Sequence, residues 1–298
     1  MIGIIGLGKM GYNMAFRLVK SGEKVVVYNR SPEKVDTIAK EGAIPSYTYK
    51  EFFQKLEEPR IIWMMLPHKI VDDILMEIKP FLKKGDIFVD GGNSNYKESM
   101  RRHNELSKDG IMTLDVGVSG GLVAAKRGYC MMVGGDKKAY DEAERFIKKM
   151  CIENGFGYFG EAGTGHFVKM VHNAIEYGMM QSIGEGFDLI KNGPFKDVDL
   201  KRLSGVWNNG SIIQGLLMEM TFNSFKHHGN DLKDTSGVVA ESGEGRWAVQ
   251  AAIEHKVPFT ANSYALWERF RTKSEFTFGN KLLAVIRDEF GGHGFKKK

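Results

Sequence analysis

The chain begins MIGIIGLGKMG over residues 1–11, and this stretch decides the fold. An apolar run over residues 2–6 leads directly into Gly6, Gly8 and Gly11, and a helical pattern follows. In this spacing the first glycine permits a tight turn, the second lets the backbone approach a pyrophosphate, and the third lets helix and strand pack closely. We therefore predict a strand, turn and helix that bind a dinucleotide. A glycine-rich turn without a ligand is the alternative.

Up to residue 162, short apolar runs alternate with amphipathic stretches. This alternation is typical of a parallel sheet with helices on its faces, which is the architecture of an α/β Rossmann domain. The predicted strands are 2–6, 24–28, 60–65, 86–89, 111–117 and 128–133. The predicted helices between them include 10–21, 33–41 and 69–79.

After residue 162 the pattern changes, and no clear β-alternation is visible. Residues 166–191 contain no proline and predict one long helix, which Asn192-Gly193-Pro194 ends. The sequence thus predicts a Rossmann domain over 1–162 and an all-α domain over 163–298, with the long helix at the junction. Further helices are predicted over 197–208, 212–225, 244–255, 262–273 and 279–289.

Composition argues against several classes of protein. Lys and Arg outnumber Asp and Glu by 42 to 37 in 298 residues, an excess too small to indicate nucleic-acid binding. No apolar run approaches the ~20 residues of a membrane span, and the glycine-broken N-terminus indicates a strand rather than a signal peptide. Cys130 and Cys151 lack a metal-type spacing, so we expect two reduced thiols in a cytoplasmic protein.

The end of the second predicted strand determines which dinucleotide is preferred. An NAD site usually has an acidic residue there, bonded to the ribose 2′-hydroxyl. This chain has Asn29, Arg30 and Ser31 instead. A guanidinium can hold a 2′-phosphate, which a carboxylate would repel. We therefore expect NADP, with NAD as a weaker alternative, unless Arg30 is only a solvated loop charge.

The long predicted helix carries a polar face. Lys169, His172, Asn173, Glu176 and Tyr177 stand at i, i+3, i+4, i+7 and i+8, so they share one side of the helix. The opposite positions are apolar and are expected to pack: Phe167, Val168, Val171 and Ile175. A surface helix with incidental polar residues is the alternative interpretation.

Such a face suits the oxidation of an alcohol. A lysine desolvated beside a nicotinamide cation can accept the hydroxyl proton while hydride leaves for the cofactor. A β-keto acid formed in this way can lose CO₂, and the remaining enediol needs a proton on carbon, which Glu176 could supply. No metal-ligand cluster is evident in the sequence, so we expect a route without a metal, in which the lysine ammonium polarises the ketone.

Together these motifs resemble the short form of the 6-phosphogluconate dehydrogenases, within the β-hydroxyacid dehydrogenase superfamily. The resemblance covers nearly the whole chain. The segments that carry it are GLGKMG (6–11), YNRS (28–31), DGGNS (90–94), DVGVSGG (115–121), GTGHFVKMVHNAIEYG (163–178), GEGRW (243–247) and RDEFGGH (287–293). The glycine turn, the SGG turn and the Lys169/Asn173 pair belong to the whole superfamily, whereas DGGNS, His172 with IEYG, and RDEFGGH are particular to the family.

The resemblance implies oxidative decarboxylation of 6-phospho-D-gluconate to D-ribulose 5-phosphate and CO₂ with reduction of NADP, with Lys169 as general base and Glu176 as acid. The implied substrate ligands are Asn93, Ser119, Gly120, Gly121, His172, Asn173, Tyr177, Arg269, Arg287 and His293, of which Tyr177, Arg269 and Arg287 are implied to bind the phosphate. The implied cofactor ligands are Gly6, Leu7, Gly8, Lys9, Met10, Gly11, Asn29, Arg30, Ser31, Met65, Leu66 and Asn93. In the family, the last two substrate ligands reach into the site of a second subunit, which implies a homodimer.

One position departs from the family pattern. Some longer members place a phosphate-binding lysine just before the motif matched by GEGRW, and this chain has Ser242 there. One phosphate contact is therefore lost or replaced. Two other functions stay open: a dehydrogenase or reductase for a small unphosphorylated β-hydroxy acid, which would not need the phosphate ligands, and a non-catalytic NADP-binding sensor, which would not need the acid and base.

Overall fold

The apolar run before the glycine turn forms a central strand, as the sequence predicts. The strands are, in chain order, β1 (Ile2–Ile5), β2 (Val25–Tyr28), β3 (Ile44–Ser46), β4 (Ile61–Met64), β5 (Ile87–Asp90), β6 (Met112–Ser119), β7 (Tyr129–Gly135) and β8 (Cys151–Gly160). They form one sheet in the order β3-β2-β1-β4-β5-β6-β7-β8. All neighbours are parallel except the antiparallel pair β6 and β7. The Rossmann prediction is therefore confirmed.

The computed structural model describes residues 1–121, 123–274 and 276–291. Contacts divide the chain into two compact units, Met1–His172 and Asn173–Lys298. The helices of the first unit are α1 (Lys9–Lys20), α2 (Pro32–Ala39), α3 (Tyr49–Gln54), α4 (Val71–Ile78), α5 (Tyr96–Leu106), α6 (Ala124–Arg127) and α7 (Lys137–Met150).

Two apolar clusters bury the two faces of the sheet. Helices α1, α2 and α7 contribute to one cluster, and α3, α4 and α5 contribute to the other. Strand β4 contributes side chains to both clusters, because Trp63 lies in the first cluster while Ile62 and Met64 lie in the second. Alternation of side chains between faces explains why a parallel strand covered on both sides is an unbroken apolar run in the sequence.

All six predicted strands are present, but two others were missed. Strand β3 has only three residues, and Pro45 removes one of its backbone donors, which an edge strand tolerates. Strand β8 lies at the other edge of the sheet, contains three glycines and has only one buried residue, Cys151. Neither strand has the alternating or continuous apolar pattern by which strands are recognised.

The long helix, α8, runs over Thr164–Asn192, so its predicted extent and its end before Gly193-Pro194 are confirmed. It begins in the first unit and continues in the second, because the contacts divide between His172 and Asn173. The predicted domain boundary at residue 162 stays a prediction. The later helices are α9 (Leu200–Trp207), α10 (Leu216–His228), α11 (Glu244–Glu254), α12 (Thr260–Arg271) and α13 (Phe278–Gly291). None of the described residues after 172 lies in a strand.

A buried ion-pair network holds the loop that follows β5. The guanidinium of Arg102, 3% exposed, donates to Asp90 Oδ2 at 2.9 Å and to Asp72 Oδ1 at 2.7 Å. Asp90 also accepts the Gly92 N–H at 3.0 Å and the Ser94 hydroxyl at 2.7 Å. Burial of the cation is tolerable because both carboxylates compensate it, and the same bonds fix the loop geometry.

Asp72 gives this network a defined pH dependence. The hydrogen bond from Arg102 lowers the pKa of Asp72 from 3.8 to about 2; partial burial opposes the shift and a second bond from Arg101 adds to it. A lowered folded-state pKa stabilises the protein above pH 3.8, and that contribution is lost as the pH falls towards 2.

We predict that Asp72→Asn lowers the free energy of unfolding by about 1 kcal/mol near neutral pH, since the carboxylate is partly exposed and screened by solvent. The difference from wild type, measured by urea titration, should shrink as the pH falls from 3.8 towards 2. Asp73→Asn is the matched control, because the neighbouring Asp73 is exposed. A pH-independent difference for Asp72→Asn would contradict the prediction.

Candidate functional site

The turn between β1 and α1 requires glycine at two of its three glycine positions. Gly6 has φ +99°, and a Cβ there would lie 2.5 Å from the Met65 carbonyl oxygen. A Cβ on Gly11 would lie 2.1 Å from the Gly6 carbonyl oxygen. At Gly8, which precedes α1, a Cβ would meet no atom within 4 Å. The turn is thus tight at its first and third glycines and open at the second, beside a helix N-terminus, which fits a dinucleotide pyrophosphate.

The loop after β2 is tied to this turn by one side chain. Asn29 Oδ1 accepts the Leu7 N–H at 2.9 Å, and Asn29 Nδ2 donates to the Ser31 carbonyl at 3.2 Å. Arg30 is exposed and, among the residues that the structure describes, forms no hydrogen bond or ion pair. An unpaired guanidinium beside a dinucleotide turn is available to a phosphate.

The other predicted cofactor residues line the same end of the sheet. Lys9 is exposed at the first position of α1, and the next residue, Met10, packs against the core. Met65 and Leu66 follow β4 and are half-buried. The Trp63 indole donates to the Met65 sulfur at 3.1 Å, which orients that side chain.

Asn93 joins the loop after β5 to β6. It adopts the left-handed backbone conformation, with φ +54°. Its Oδ1 accepts the Val118 N–H at 3.0 Å and its Nδ2 donates to the Val118 carbonyl at 3.3 Å. The side chain therefore pairs with the backbone of β6 one residue before Ser119.

Alternate residues of β6 make successive contacts with α8. The Asp115 carboxylate accepts the N–H groups of Gly163 and His166 at 2.7 and 2.8 Å. Two residues on, a Cβ at Gly117 would lie 2.2 Å from the Lys169 Cβ, so the helix rests on bare backbone there. Contacts at alternate strand residues place one face of the strand against one face of the helix.

At Ser119, the next residue on this face of β6, the contact with α8 is a chain of polar atoms. Ser119 Oγ lies 3.2 Å from His172 Nε2, and His172 Nδ1 lies 3.2 Å from Lys169 Nζ. Lys169 is only 5% exposed. The fold thus brings a buried amine, an imidazole and a hydroxyl into one hydrogen-bonded series, with the Asn93 side chain bonded to the adjoining residue of β6.

A turn of small residues follows β6. Gly120 and Gly121 both have positive φ, +115° and +52°. A Cβ on Gly120 would lie 2.6 Å from the Ala124 Cβ, whereas Gly121 is exposed and faces open space. Such a turn can present backbone N–H groups to an anion.

In the second unit, Tyr177 and Arg269 are in contact. The Arg269 guanidinium carbon lies 3.5 Å from the centroid of the Tyr177 ring, and its Nη1 donates to the Ala240 carbonyl at 2.8 Å. Tyr177 is 7% exposed, and its hydroxyl lies 3.5 Å from the Ser242 nitrogen. These two predicted phosphate ligands therefore lie together, as an aromatic ring covered by a cation.

Near Ser242, carboxylates are already bonded to local partners. The Ser242 hydroxyl donates to Glu244, and Arg246 Nε pairs with Glu241 at 3.0 Å. In the sequence, Arg246 is the cation nearest to Ser242, the position where some longer family members have a lysine.

The remaining predicted site residues divide into three groups. Asn173 and Glu176 are half-buried on the same helix as Lys169. Arg287 is exposed on α13 and forms no bond with any described residue. His293 lies outside the described residues. The expectation that Ile175 packs is wrong, because this side chain is 49% exposed.

Sequence reasoning assigned no role to Asp115 or Gly117. Both stand in DVGVSGG, and the signal that could have found Asp115 is a carboxylate inside an otherwise apolar strand, since a buried charge must be compensated. Which backbone groups compensate it depends on the distant helix and could not be known from the sequence.

The described residues contain no group of three or more His, Cys, Asp or Glu side chains placed to hold a metal ion. Among them, too, no helix combines the length and the apolar character needed to cross a membrane.

Two family models together account for most of the chain. One, described as the NAD binding domain of 6-phosphogluconate dehydrogenase, matches residues 1–160. The other, described as the C-terminal domain of 6-phosphogluconate dehydrogenase, matches residues 165–277. The chain belongs to the 6-phosphogluconate dehydrogenase family. It is therefore an oxidoreductase of that family, with an NAD(P)-binding first unit.

Individual family members agree with this assignment. YqeC of Bacillus subtilis, a 6-phosphogluconate dehydrogenase by provisional name, is 43% identical over 297 residues, which cover 100% of this chain and 99% of YqeC. An NAD⁺-dependent, decarboxylating 6-phosphogluconate dehydrogenase of Haloferax volcanii is 38% identical over 299 residues, again covering 100% and 99%. The solved Plasmodium falciparum 6-phosphogluconate dehydrogenase has a TM-score of 0.83 and 31% identity; this chain covers 66% of that longer one.

Proposed function

We propose that the protein oxidises and decarboxylates 6-phosphogluconate to ribulose 5-phosphate and CO₂, with NADP as the hydride acceptor. The observation that carries the proposal is the hydrogen-bonded series of the buried Lys169, His172 and Ser119, which joins α8 to β6. Membership of the family, the P. falciparum relative solved in complex with NADP⁺ and in complex with 6-phosphogluconate, and the contact of Tyr177 with Arg269 support it.

Lys169 is the base in this proposal. The hydroxyl of 6-phosphogluconate that lies β to the carboxylate gives its proton to Nζ while the adjacent C–H bond breaks and its hydride leaves. The nicotinamide, when bound, supplies the acceptor for that hydride. His172, 3.2 Å from both Nζ and the Ser119 hydroxyl, orients the amine.

Decarboxylation follows from the β-keto acid so formed. The ammonium of Lys169 donates to the ketone oxygen and withdraws charge from it as the bond to CO₂ breaks. The electron pair of that bond forms an enediol. Glu176 donates a proton to its terminal carbon, while the hydroxyl derived from the ketone returns its proton to the Lys169 amine and becomes the ketone of ribulose 5-phosphate. Lys169 and Glu176 stand seven residues apart on one helix, about two turns, and so on one face.

The two charged ends of the substrate have different partners in the proposal. Backbone N–H groups of the Gly120-Gly121 turn, with Asn93 and Ser119, bind the carboxylate and neighbouring hydroxyls. Tyr177 and Arg269 bind the phosphate. His172 and Asn173 bind hydroxyl groups between the two ends.

The proposed preference for NADP rests on the loop after β2. Asn29 fixes this loop to the glycine turn, and Arg30 is exposed and unpaired among the described residues. Neither Asn29, Arg30 nor Ser31 carries the negative charge that would repel a 2′-phosphate. The H. volcanii relative is named as NAD⁺-dependent, so the family uses both dinucleotides and this loop has to be tested directly.

A homodimer is also proposed, in the cytoplasm. The second unit exposes large apolar side chains beyond what a monomer usually shows, such as Leu189, Phe195 and Phe278 at 73, 76 and 79%. On α13 the exposed apolar residues stand beside Arg287, which makes this helix the candidate to reach a second subunit with Arg287.

The function is tested by an initial-rate assay with 6-phosphogluconate, in which reduced cofactor and trapped CO₂ are both measured. Equal amounts of the two are expected, because one hydride and one CO₂ leave each substrate molecule. Reduction only with a small unphosphorylated β-hydroxy acid would replace the proposal with that alternative. NADP binding without turnover of either substrate would favour the sensor.

Lys169→Met should lower kcat by about a hundredfold or more, because the base is removed, while the Kd for NADPH measured by fluorescence changes little. Lys191→Met, on the same helix but paired with Asp231, is the matched control and should keep kcat. Turnover by Lys169→Met at the wild-type rate would remove the base assignment.

Arg30→Ala should raise the KM for NADP by about tenfold or more and leave the KM for NAD nearly unchanged, because only NADP has a 2′-phosphate. Lys40→Ala removes an exposed charge just after α2 and serves as control. Equal losses for both dinucleotides would show that Arg30 does not select between them.

Sedimentation equilibrium should give twice the chain mass of 33.5 kDa. Leu283→Asp should dissociate the dimer and abolish turnover, because it places a charge on the apolar side of α13, where Leu283 is 65% exposed. Lys281→Asp, two residues earlier, controls for charge on that helix. An active wild-type monomer would contradict the dimer.

A further inference from the structure

Asp115 is a buried charge with an unusual form of compensation. Its side chain is 3% exposed in the middle of β6, where every neighbouring strand residue is also buried. Among the residues that the structure describes, no cation pairs with it. Its two oxygens accept only backbone N–H groups, those of Gly163 at 2.7 Å and His166 at 2.8 Å.

These two donors belong to the start of α8. The first N–H groups of a helix have no partner within the helix, and their aligned dipoles give that end a partial positive charge. A carboxylate bonded to two of them is compensated by the helix end, and in return it fixes where the helix begins. Nothing in this arrangement requires Asp115 to touch a ligand.

The surrounding glycines make the position of the helix sensitive to that bond. A Cβ on Gly165 would lie 2.2 Å from the Asp115 carbonyl oxygen, and one on Gly134 would lie 2.6 Å from the Gly165 nitrogen. Backbone therefore packs on backbone between the sheet and the helix start. On its other side, the helix start contacts α5, where Ser99 Oγ lies 2.7 Å from His166 Nδ1 and the Tyr96 ring packs against Phe167. Towards β6, the Asp115 carboxylate is the directional contact at the helix start.

Lys169 lies one turn beyond His166 on the same helix, and its stem rests on Gly117, two residues beyond Asp115 on the same strand. A rotation or shift of the helix start would move Nζ away from His172 and from the reacting hydroxyl. Displacement by about 1 Å is enough to lower a rate a hundredfold when reacting groups must be aligned.

We propose that Asp115 is a positioning residue: by holding the N-terminus of α8 against β6, it sets the location of the Lys169 amine. The inference rests on the proposed function, because it concerns the residue assigned as base. It adds a determinant of the catalytic rate that lies in the sheet and has no contact with substrate or cofactor.

The test is Asp115→Asn, which keeps the size of the side chain but replaces one acceptor oxygen with an NH₂ group that faces a backbone donor. We expect kcat per NADPH-binding site to fall by about tenfold or more, with the Kd for NADPH and the KM for 6-phosphogluconate within about threefold of wild type. Asp115→Ser, whose hydroxyl can accept one N–H group, should recover part of the loss.

Asp136→Asn is the matched control. Asp136 also precedes a helix, α7, and accepts a backbone N–H, that of Thr113, at 2.7 Å. Helix α7 carries no predicted site residue, so this variant should keep kcat even where its melting temperature falls. If loss of stability alone lowered activity, kcat would fall in both variants. If Asp115 positions the Lys169 amine, kcat falls in Asp115→Asn and not in Asp136→Asn.

Three results would overturn the inference. The kcat of Asp115→Asn could be unchanged, or its activity could fall only because fewer molecules bind NADPH, or the kcat of Asp136→Asn could fall by the same factor. Failure of both Asp115 variants to bind NADPH would also overturn it, since Asp115 would then be needed for folding of the whole unit. A wild-type protein inactive on 6-phosphogluconate would instead refute the proposed function, and the two failures are thus distinguishable.

Discussion

The seating of helix α8 on strand β6 is the contact on which the arrangement of the first unit's site depends. At Gly117, Gly134 and Gly165 the helix and the sheet meet backbone to backbone, because a Cβ at any of the three would overlap a neighbouring atom. Close approach of this kind requires glycine and leaves no side chain to absorb a shift. The Asp115 carboxylate completes the contact by bonding to the helix end. The lysine, the histidine and the serine hydroxyl are brought together as a consequence.

A second set of contacts connects strand β6, on which α8 packs, to the dinucleotide turn. The loops after β1, β2, β4 and β5 all leave the same end of the parallel strands, where ligands bind in open α/β sheets. Asn29 joins two of these loops, and Asn93 joins a third to the backbone of β6. Each link uses a side-chain amide, which can accept and donate at once and so mimics a peptide group. Loops that are individually irregular thus acquire a defined geometry.

The second unit is organised differently. Its apolar clusters are small, one joining α8, α9 and α10 and the other joining α8, α11 and α12, while many large apolar side chains remain exposed. This exposed apolar surface is the observation behind the proposed dimer. Tyr177 and Arg269 lie in the second of these clusters or against it, where the ring is buried and the guanidinium covers it.

Much of the fold, and part of the candidate site, was determined by the sequence alone. The glycine turn, six of the eight strands and the length of α8 follow from local rules, because periodicity and glycine or proline positions act within a few residues. The polar face with Lys169 and His172 likewise follows from helical spacing, and the two residues are bonded to each other.

Edge strands β3 and β8 were not predicted, because strands at sheet edges need little apolar character. The exposure of Ile175 and the bonding partners of Asp115 were decided only by the tertiary structure. Both depend on which surface lies opposite, and that surface is contributed by residues distant in the chain, such as the 48 positions that separate Asp115 from Gly163.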